Sequence, residues 1–370
     1  MKNLNLTNKI RQISTVVVFG AIVLFFAIGA LISPDREYSV FERRKLEQMP
    51  VYEEYEDLAS YFSAWATYLT DQFLFRDELR FLKSGFAHGV LRQSDVNGYY
   101  SVGGSQAELL YPTNEQTILQ NVQLLEQLRK THFANSSAYY AVIPDKSYYM
   151  DAPLGLDYDQ IDRIFADNLN ATAIPLYDSL MLFDYYNTDI HWKQDRLEEV
   201  YETLRRAMGE HLPPYANIPH SYHHAGEFYG VLYGQAAMPA IRDEMYYLQN
   251  STIQGLQLTV IDTGKTGSIY DTQAFDGDDP YDLYLGGEAA ILHIQNPSAT
   301  EERKLILFRD SFGRSIAPLL TEGYSEIVLI DLRWIRSSFL TYFADLIAAD
   351  ENTDVLFLYS AQVLNSTKLG

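Results

Sequence analysis

The sequence predicts an α/β fold built on a mostly parallel sheet and preceded by an apolar helix and a helical stem. Two observations near the C-terminus predict the sheet. The runs KLILF, EIVLI and DVLFLY are short and continuously apolar, and the segments SIAPLLTEG and SSFLTYFADLIAA between them are helix-like. Buried parallel strands joined by helices have this pattern. A third observation, an uncharged apolar segment near the N-terminus, predicts the helix that precedes the domain.

The uncharged segment is ISTVVVFGAIVLFFAIGALI, residues 13–32. As a helix that rises about 1.5 Å per residue it spans roughly 30 Å, the thickness of a bilayer core. Basic residues precede it, which predicts a cytoplasmic tail at 1–12, a single-pass anchor at 13–32 and an extracytoplasmic remainder. A cleaved signal peptide is the alternative, because small residues suited to a peptidase lie near its end. The basic residues are Lys2, Lys9 and Arg11, and the small ones are Ala27, Gly29 and Ala30.

The rest of the chain divides into a connector with a helical stem, residues 33–95, and a main domain, residues 96–370. Apolar residues between Tyr55 and Leu91 recur three and four positions apart, as on one face of a helix. Residues 209–290, rich in Tyr, Gly and His, are interpreted as an insertion of loops and hairpins. The other predicted elements of the domain are a hairpin in NGYYSVGGSQ, helices at 115–131 and 195–208, and strands in AYYAVIP and at 173–178.

The composition indicates a folded protein that does not bind nucleic acid. Of the 370 residues, 47% are hydrophobic, which is enough to bury a full core. The 28 basic residues are outnumbered by 49 acidic ones, and the net charge of -21 would repel a phosphate backbone. The chain has no cysteine, which excludes disulfides, thiolate metal ligands and a cysteine nucleophile.

A nucleophile is predicted at Ser311, in the turn that follows the apolar run KLILF. The next helix begins around Gly313 or Arg314. The carboxyl edge of a parallel sheet, beside the backbone N–H groups at a helix start, favours a developing oxyanion. A serine also needs a base, and the base needs an orienting acid. The alternative is that Ser311 only caps the helix.

An Asp-x-His pair in NTDIHW supplies both partners from one short segment. If the segment is extended, the side chains of Asp189 and His191 point to the same side, and Trp192 points the other way into the core. Asp189 then orients the imidazole so that its other nitrogen faces Ser311. The alternative is a packed core histidine that is hydrogen-bonded and has no catalytic role.

Five segments carry a resemblance to a known family. TDIHW, FYGVLYG at 228–234, LGG at 285–287, FRDSFGRSIAPLLTEGYSEIVLIDLRW and DVLFLY together resemble the DHHW family of bacterial extracytoplasmic proteins. That family is similar in turn to the alginate O-acetyltransferases, which have a permuted SGNH-hydrolase fold with the D-x-H motif before the serine. The resemblance covers roughly residues 35–360, and it implies an SGNH-like three-layer sandwich for the domain at 96–370.

The resemblance carries Asp189, His191 and Ser311 into the roles of acid, base and nucleophile. Two positions depart from the pattern. Ile190 stands where the motif has its first histidine, and in a D-x-H arrangement that side chain points away from the site. Arg309 stands where glycine is commoner in hydrolases of this class, and this departure concerns the oxyanion turn.

The function implied by the resemblance is an anchored O-acetyltransferase or esterase acting on a cell-envelope or secreted polysaccharide. In transferase mode, a membrane-bound acyltransferase partner would supply the acyl group. No cofactor is expected. The alternative is a non-catalytic carbohydrate-binding or polysaccharide-assembly factor that keeps the fold.

Four further residues are candidates for contact with the substrate or the oxyanion. Arg333, after the run EIVLI, could hold a substrate oxygen or carboxylate, a role that the resemblance supports; the alternative is a surface arginine paired with an aspartate. Asn296 in HIQNP could donate to the oxyanion, and Lys146 in IPDKSYY could border the pocket. Asp310, directly before Ser311, completes the set.

Two segments have side chains that bind metals in other proteins. HSYHHAGEF contains three histidines and a glutamate, but its spacing is not that of an H-E-x-x-H helix. The run DGDDPYD lacks the ligand spacing of an EF-hand. We therefore expect no metal at the site, and a metal-dependent hydrolase that uses these histidines is the weaker alternative. They are His220, His223 and His224, with Glu227.

Overall fold

The computed structural model describes residues 2–150, 152 and 154–370, and it divides into two compact units, the second of which begins at Gln93. Met1, the first residue of the predicted tail, lies outside the described residues. Each unit is internally packed, and the residues predicted for chemistry all belong to the second.

The first unit is mainly helical. Its first helix contains Asn8–Ala30, which is, among the described residues, the one helix long and apolar enough to cross a membrane. The predicted stem consists of two helices, and the break between them falls where Phe75 adopts a left-handed conformation (φ 55°). The elements are α1 (Lys2–Ile32), β1 (Tyr38–Ser39), β2 (Arg44–Lys45), α2 (Leu58–Asp71) and α3 (Arg76–Gly89).

The second unit alternates strands and helices along the chain. Its strands are β3 (Tyr99–Val102), β4 (Ser105–Glu108), β5 (Ser137–Ile143), β6 (Thr172–Ala173), β7 (Ser221–Phe228), β8 (Asp243–Gln249), β9 (Gln257–Val260), β10 (Lys265–Gly267), β11 (Ile291–Gln295), β12 (Lys304–Arg309), β13 (Glu326–Ile330) and β14 (Thr353–Ser360). Its helices are α4 (Glu115–His132), α5 (Tyr158–Asn168), α6 (Glu198–Met208), α7 (Val231–Ala236), α8 (Ser251–Gly255), α9 (Gly313–Leu320) and α10 (Ala361–Ser366).

Eight of these strands form one sheet in the order β10-β9-β11-β13-β12-β14-β5-β6. The strands from β13 to β6 are parallel to their neighbours, and Phe308 of β12 lies between Ile330 of β13 and Phe357 of β14. The strands β11, β9 and β10 extend the other edge in antiparallel pairs. The predicted α/β class with a mostly parallel sheet is confirmed.

The central strands send alternate side chains into two separate cores. Leu305 and Leu307 of β12 pack in a cluster that includes residues of α6 and α9. Ile306 and Phe308 pack in a second cluster with residues of α4, α5 and α10. A strand that is buried on both faces has a continuous apolar sequence, without alternating polar residues. This explains why KLILF is apolar throughout. The result is three layers, with helices on both faces of the sheet.

Several elements differ from the sequence prediction. The strand expected at 173–178 is only β6, because Pro175 cannot donate a ladder hydrogen bond and the chain then turns into a 3-10 helix at Tyr177–Ser179. The segment SSFLTYFADLIAA contains a 3-10 helix at Ser337–Phe343 rather than an α-helix. Within residues 209–290, β9 joins the main sheet beside β11, so this region also builds the core.

Candidate active site

Ser311 occupies the turn between β12 and α9, at the carboxyl edge of the parallel strands. The strand ends at Arg309 and the helix begins at Gly313. A Cβ at position 313 would lie 2.6 Å from the Cβ of Arg309, so only glycine allows the helix to start this close to the strand. The turn leaves Ser311 partly exposed, while Asp310 and Phe312 on either side are buried.

The structure brings Asp189, His191 and Ser311 together. His191 Nε2 lies 2.7 Å from Ser311 Oγ, and His191 Nδ1 lies 2.6 Å from Asp189 Oδ1. An ionised carboxylate only accepts hydrogen bonds, so Nδ1 carries the ring proton and Nε2 is left to accept from the serine hydroxyl. Asp189 is fully buried and His191 is 5% exposed. This is the hydrogen-bond order of a serine-hydrolase triad.

Asp189 and His191 do not lie in an extended segment, which differs from the prediction from sequence. Residues 187–191 form a series of bends before the 3-10 helix at Gln194–Arg196. Asp189 Oδ1 also accepts the backbone N–H of His191 at 3.1 Å. Aspartate commonly binds the backbone two residues on in this way. A local turn, rather than strand alternation, therefore turns the carboxylate towards the ring.

The histidine segment is bound directly to the helix that follows the serine. Trp192 is fully buried, and its Nε1 donates to Phe312 O (3.2 Å) and Ser315 Oγ (2.8 Å). Gln194 Nε2 donates to Ser315 O at 2.7 Å. These contacts join segments about 120 positions apart, as their sequence separations of 120 to 123 show. They fix the position of His191 relative to Ser311.

Lys146 binds the backbone of the D-x-H segment. It is 3% exposed, and its Nζ donates to the carbonyls of Tyr186 (2.5 Å), Asn187 (2.9 Å) and Asp189 (3.1 Å). These bonds occupy all three ammonium protons. Burial lowers the pKa of Lys146 to about 7, and the nearby carboxylates of Asp243 and Asp189 oppose that shift. Lys146 thus holds the D-x-H segment, in place of the predicted contact with substrate.

Three residues complete the support, and no motif in the sequence indicates their role: Thr188, Asp243 and Gly230. Asp243 accepts the Thr188 N–H (2.7 Å) and hydroxyl (2.6 Å), and Thr188 Oγ1 accepts the Gly230 N–H (2.8 Å). A Cβ at position 230 would lie 2.4 Å from the Cβ of Asp189 and 2.5 Å from Thr188 O. Gly230 lies in FYGVLYG, one of the five segments that carry the family resemblance.

Replacing Gly230 by alanine should displace the Asp189 carboxylate without disturbing the main core. We expect ester turnover by the Gly230→Ala variant to fall at least about 10²-fold, because displacing a catalytic group by about 1 Å has that effect. Gly255→Ala is the matched control, since a Cβ there meets no atom within 4 Å. Equal kcat for the two variants would contradict the positioning role of Gly230.

The low pKa of Lys146 predicts a pH-dependent stability. The unfolded lysine titrates near 10.5 and the folded one near 7, so the unfolded chain binds more protons between those values. The free energy of unfolding therefore rises with pH across this window. We expect urea unfolding of wild type, relative to Lys146→Met, to show a stability difference that grows from about pH 7 to about pH 10. A difference that stays constant across this pH range would contradict the assignment.

Asp310 and Asn296 have other roles than those predicted. The buried Asp310 carboxylate accepts the N–H groups of Phe312 (3.0 Å) and Ser360 (2.7 Å), so it shapes the turn and joins β12 to β14. Asn296 follows β11 at the amino end of β13, next to Ser325, and its amide donates to Thr321 O at 2.9 Å. That is the edge opposite Ser311, which rules Asn296 out as an oxyanion donor.

Arg333 lies after β13, on the edge that carries Ser311, and it is paired. Its Nε and Nη2 donate to the two oxygens of Asp331 at 2.9 and 2.7 Å. The fully buried Arg309 donates to the same Asp331 at 3.1 Å, and burial lowers the pKa of Arg309 to about 10. The Arg333 side chain is 20% exposed. Arg309 is thus buried next to the turn that carries Ser311 and is not available to substrate. Arg333 stays a candidate for contact with substrate.

Tyr281 is a component of the site that no motif in the sequence indicates. Its ring stacks on His191 with centroids 3.7 Å apart and planes 5° apart, and its hydroxyl lies 2.8 Å from Ser315 Oγ. The buried guanidinium of Arg314 lies 5.1 Å from the Tyr281 ring centroid. Burial raises the pKa of Tyr281, so the ring stays neutral. Tyr281 fixes the plane of the imidazole and shields one of its faces.

The histidines of the weaker, metal-dependent alternative do not converge on one point. His223 and His224 are neighbours on β7; the first stacks on Tyr247 and the second packs against Tyr246. In the part of the chain that the structure describes, no group of three or more histidine, aspartate or glutamate side chains is arranged to hold a metal ion.

The family resemblance is confirmed by comparison with known proteins. A family model described as DHHW protein matches residues 177–330, a range that contains Asp189, His191 and Ser311. No curated protein matches the chain.

Several solved structures are similar to the chain, and three of them are described here. The crystal structure of a DHHW family protein from Eubacterium siraeum has a TM-score of 0.58 and 18% identity, and the match covers 74% of this chain and 93% of that one. Bacillus cereus PatB1 with a sulfonyl adduct has a TM-score of 0.57 and 18% identity, covering 73% and 98%. The O-acetyltransferase domain of Pseudomonas putida AlgJ is more distant, with a TM-score of 0.43, 11% identity and coverage of 73% and 93%. The first two similarities establish a shared fold.

Proposed function

We propose that the chain is a serine-dependent O-acyltransferase or esterase that acts on a cell-envelope or secreted polysaccharide. The observation that carries the proposal is the continuous hydrogen-bond chain from Asp189 through His191 to the partly exposed Ser311. A buried acid, an oriented imidazole and an accessible hydroxyl are the parts that acyl transfer through a serine requires.

In the first half of the reaction, Ser311 Oγ attacks the carbonyl carbon of an acyl ester while His191 Nε2 takes its proton. The tetrahedral intermediate collapses when the bond to the leaving alkoxide breaks and His191 returns the proton to that oxygen. The product is an acyl-serine at position 311. Asp189 keeps Nδ1 protonated and stabilises the imidazolium during both steps.

In the second half, His191 Nε2 takes the proton of an incoming hydroxyl, whose oxygen attacks the acyl-serine. The Ser311 ester bond breaks, and the serine oxygen recovers the proton from His191. A sugar hydroxyl gives transfer and water gives hydrolysis. The residues of the triad are the same in both cases, so access of water to the site decides between them.

The Ser311 N–H is the candidate oxyanion donor. Within the described residues it has no hydrogen-bond acceptor, whereas the Phe312 N–H is bound by Asp310 and the Gly313 N–H points to Asp310 O at 3.2 Å. The amino end of α9 adds the positive end of its dipole close to Ser311. Arg333, which is partly exposed on the same edge, is a candidate for the second donor.

A tyrosine-lined cavity of about 460 Å³ at the same edge supports a saccharide acceptor. Tyr148, Tyr158 and Tyr177 line it, and the first is 46% exposed. The triad residues do not line it. The 3-10 helix at Lys146–Tyr149, which follows β5, contributes Tyr148 to its lining, and Lys146 of the same helix binds the D-x-H segment. Aromatic rings beside carboxylates, here Asp157 and Asp162, suit the apolar faces and hydroxyls of a sugar.

Membrane attachment through residues 13–32, with the N-terminus cytoplasmic and the domain outside, is part of the proposal. The apolar helix and the basic residues before it support this orientation. A membrane-bound acyltransferase is the partner we propose as acyl donor in transferase mode, and this rests on the resemblance alone.

The experiment measures acetyl release and acetyl transfer by the full chain in detergent. We expect nitrophenol release from nitrophenyl acetate, inhibition by a sulfonyl fluoride that labels Ser311, and O-acetylated product when an oligosaccharide acceptor is added. The adduct described for PatB1 motivates the choice of inhibitor. Oligosaccharide binding with no ester turnover and no sulfonyl labelling would instead favour the non-catalytic carbohydrate-binding factor.

A further inference from the structure

Helix α3 has its polar side inside and its apolar side outside. Arg76 is buried, and its guanidinium pairs with Glu42 (2.5 Å), Asp77 (3.0 Å) and Asp71 (3.3 Å). Ser84 is also buried. A helix on the surface of a water-soluble domain has the opposite arrangement. The medium outside α3 is therefore better explained as apolar than as water.

The outward residues of α3 and its caps form one stripe. At 100° per residue they fall within an arc of about 80°. Leu82 is 68% exposed and Phe86 is 53% exposed. Two charged residues of α3, Glu78 and Lys83, are also exposed, one at each border of the stripe. A basic side chain at such a border can reach anionic headgroups. The α3 stripe consists of Phe75, Leu79, Leu82, Phe86 and Val90.

Helix α2 presents a second stripe with the same helical spacing. Three of its members are largely exposed and Trp65 is partly exposed. Tryptophan is enriched where a protein meets the headgroup region of a bilayer. The α2 stripe consists of Leu58, Phe62, Trp65 and Leu69.

The turn between α2 and α3 is attached to the end of the apolar helix α1. Phe73 stacks on Phe26 with centroids 4.9 Å apart, and Leu74 lies close enough to Gly29 that a Cβ there would come within 2.5 Å of it. Gln72 Nε2 donates to Arg36 O, and Gln72 Oε1 accepts the Arg36 N–H, both at 2.9 Å. The turn therefore sits at the level where α1 would leave a bilayer. Leu69 of the α2 stripe lies four residues before Phe73, and Phe75 of the α3 stripe directly follows Leu74, so both stripes meet α1 at this turn.

We propose that the α2 and α3 stripes rest on the outer surface of the bilayer that α1 spans. The occupant is lipid, argued from the continuity of these stripes with α1 and from the inverted polarity of α3. Such helices lie in the interface with their apolar sides among the acyl chains. The inference rests on the anchor in the proposed function, and it adds that the first unit lies on the membrane instead of forming a solvated stalk.

The absence of cysteine in the chain allows a direct test by single-site spin labelling. The full chain in lipid vesicles is labelled after Leu82→Cys or Phe86→Cys, and collision with oxygen and with a water-soluble nickel chelate is measured. Val18→Cys in α1 provides the lipid reference, and Thr300→Cys, an exposed residue of the second unit, provides the aqueous reference. We expect labels at 82 and 86 to meet oxygen readily and nickel rarely, as at 18.

Three other results would overturn the proposal. Nickel access at 82 and 86 equal to that at 300 would place the α3 stripe in water. Low access to both reagents would mean that protein covers it, either the second unit or another copy, and dipolar broadening that depends on protein density would identify a copy. If the label at position 18 were also accessible to nickel, and alkaline carbonate released the protein from the vesicles, α1 would not be a membrane anchor. This result would contradict the proposed function as well, and it differs from the other two.

Discussion

The Ser311→Ala variant is expected to lose essentially all turnover of an acetyl ester. Removal of the Oγ atom removes the nucleophile, and kcat should fall by at least about 10⁴-fold, as in other hydrolases that form a serine ester. The fold should be unchanged, because the side chain is partly exposed and its hydroxyl is hydrogen-bonded to His191 Nε2 at 2.7 Å rather than to a core residue. The measurement is nitrophenol release under saturating substrate, which separates kcat from KM.

Ser298→Ala is the matched control for Ser311→Ala. Ser298 is an exposed serine at the opposite edge of the sheet, where its hydroxyl donates to Asn296 Oδ1 at 2.7 Å. We expect wild-type kcat from this variant. If Ser311→Ala retained the same activity as Ser298→Ala, the serine would have no part in the mechanism.

The Asp189→Asn variant is expected to show the second-largest loss, roughly 10³- to 10⁴-fold in kcat. An amide in place of the carboxylate can present an N–H to Nδ1, which stabilises the tautomer with the proton on Nε2 and leaves no acceptor for the serine proton. The substitution keeps the size of the side chain, and the contact with the Val231 N–H at 3.3 Å can remain through the amide oxygen. KM should change little, because Asp189 is fully buried and meets no substrate.

The double variant Asp189→Asn with Ser311→Ala distinguishes a loss of catalysis from a loss of stability or folding. If Asp189 acts only through His191 on Ser311, the double variant should be no slower than Ser311→Ala alone, since residues of one catalytic unit are not additive. Losses that multiply in the double variant would show that Asp189 acts by another route.

The predictions from sequence succeeded where local pattern determines structure. KLILF, EIVLI and DVLFLY are β12, β13 and β14 of the parallel sheet, and the helix after Ser311 begins at Gly313 as expected. A continuous apolar run can be buried on both faces, and a serine directly after such a strand falls at its carboxyl edge. The spacing of the D-x-H motif and the serine alone also fits a packed histidine and a helix cap, so the grouping of Asp189, His191 and Ser311 was predicted from the family resemblance.

The support of the site could not be predicted, because it depends on contacts between distant segments. Tyr281 stacks on His191 from a 3-10 helix some 90 residues away in sequence, with no local periodicity that indicates it. Lys146 was identified as a neighbour of the site, but its burial against three carbonyls follows from the end of β5. Asn296 was misplaced because β11 runs antiparallel to β13, which puts its carboxyl end at the wrong edge.

The most direct test of the central claim is to trap the acyl-enzyme. The full chain is mixed with a chromogenic acetyl ester, quenched in acid during the burst, digested and analysed by mass spectrometry. The account predicts one added acetyl group on the peptide that contains Ser311, and none in the His191→Ala variant at the same time. A burst of product with the acetyl group on another residue, or turnover with no acylated peptide at any time, would contradict it.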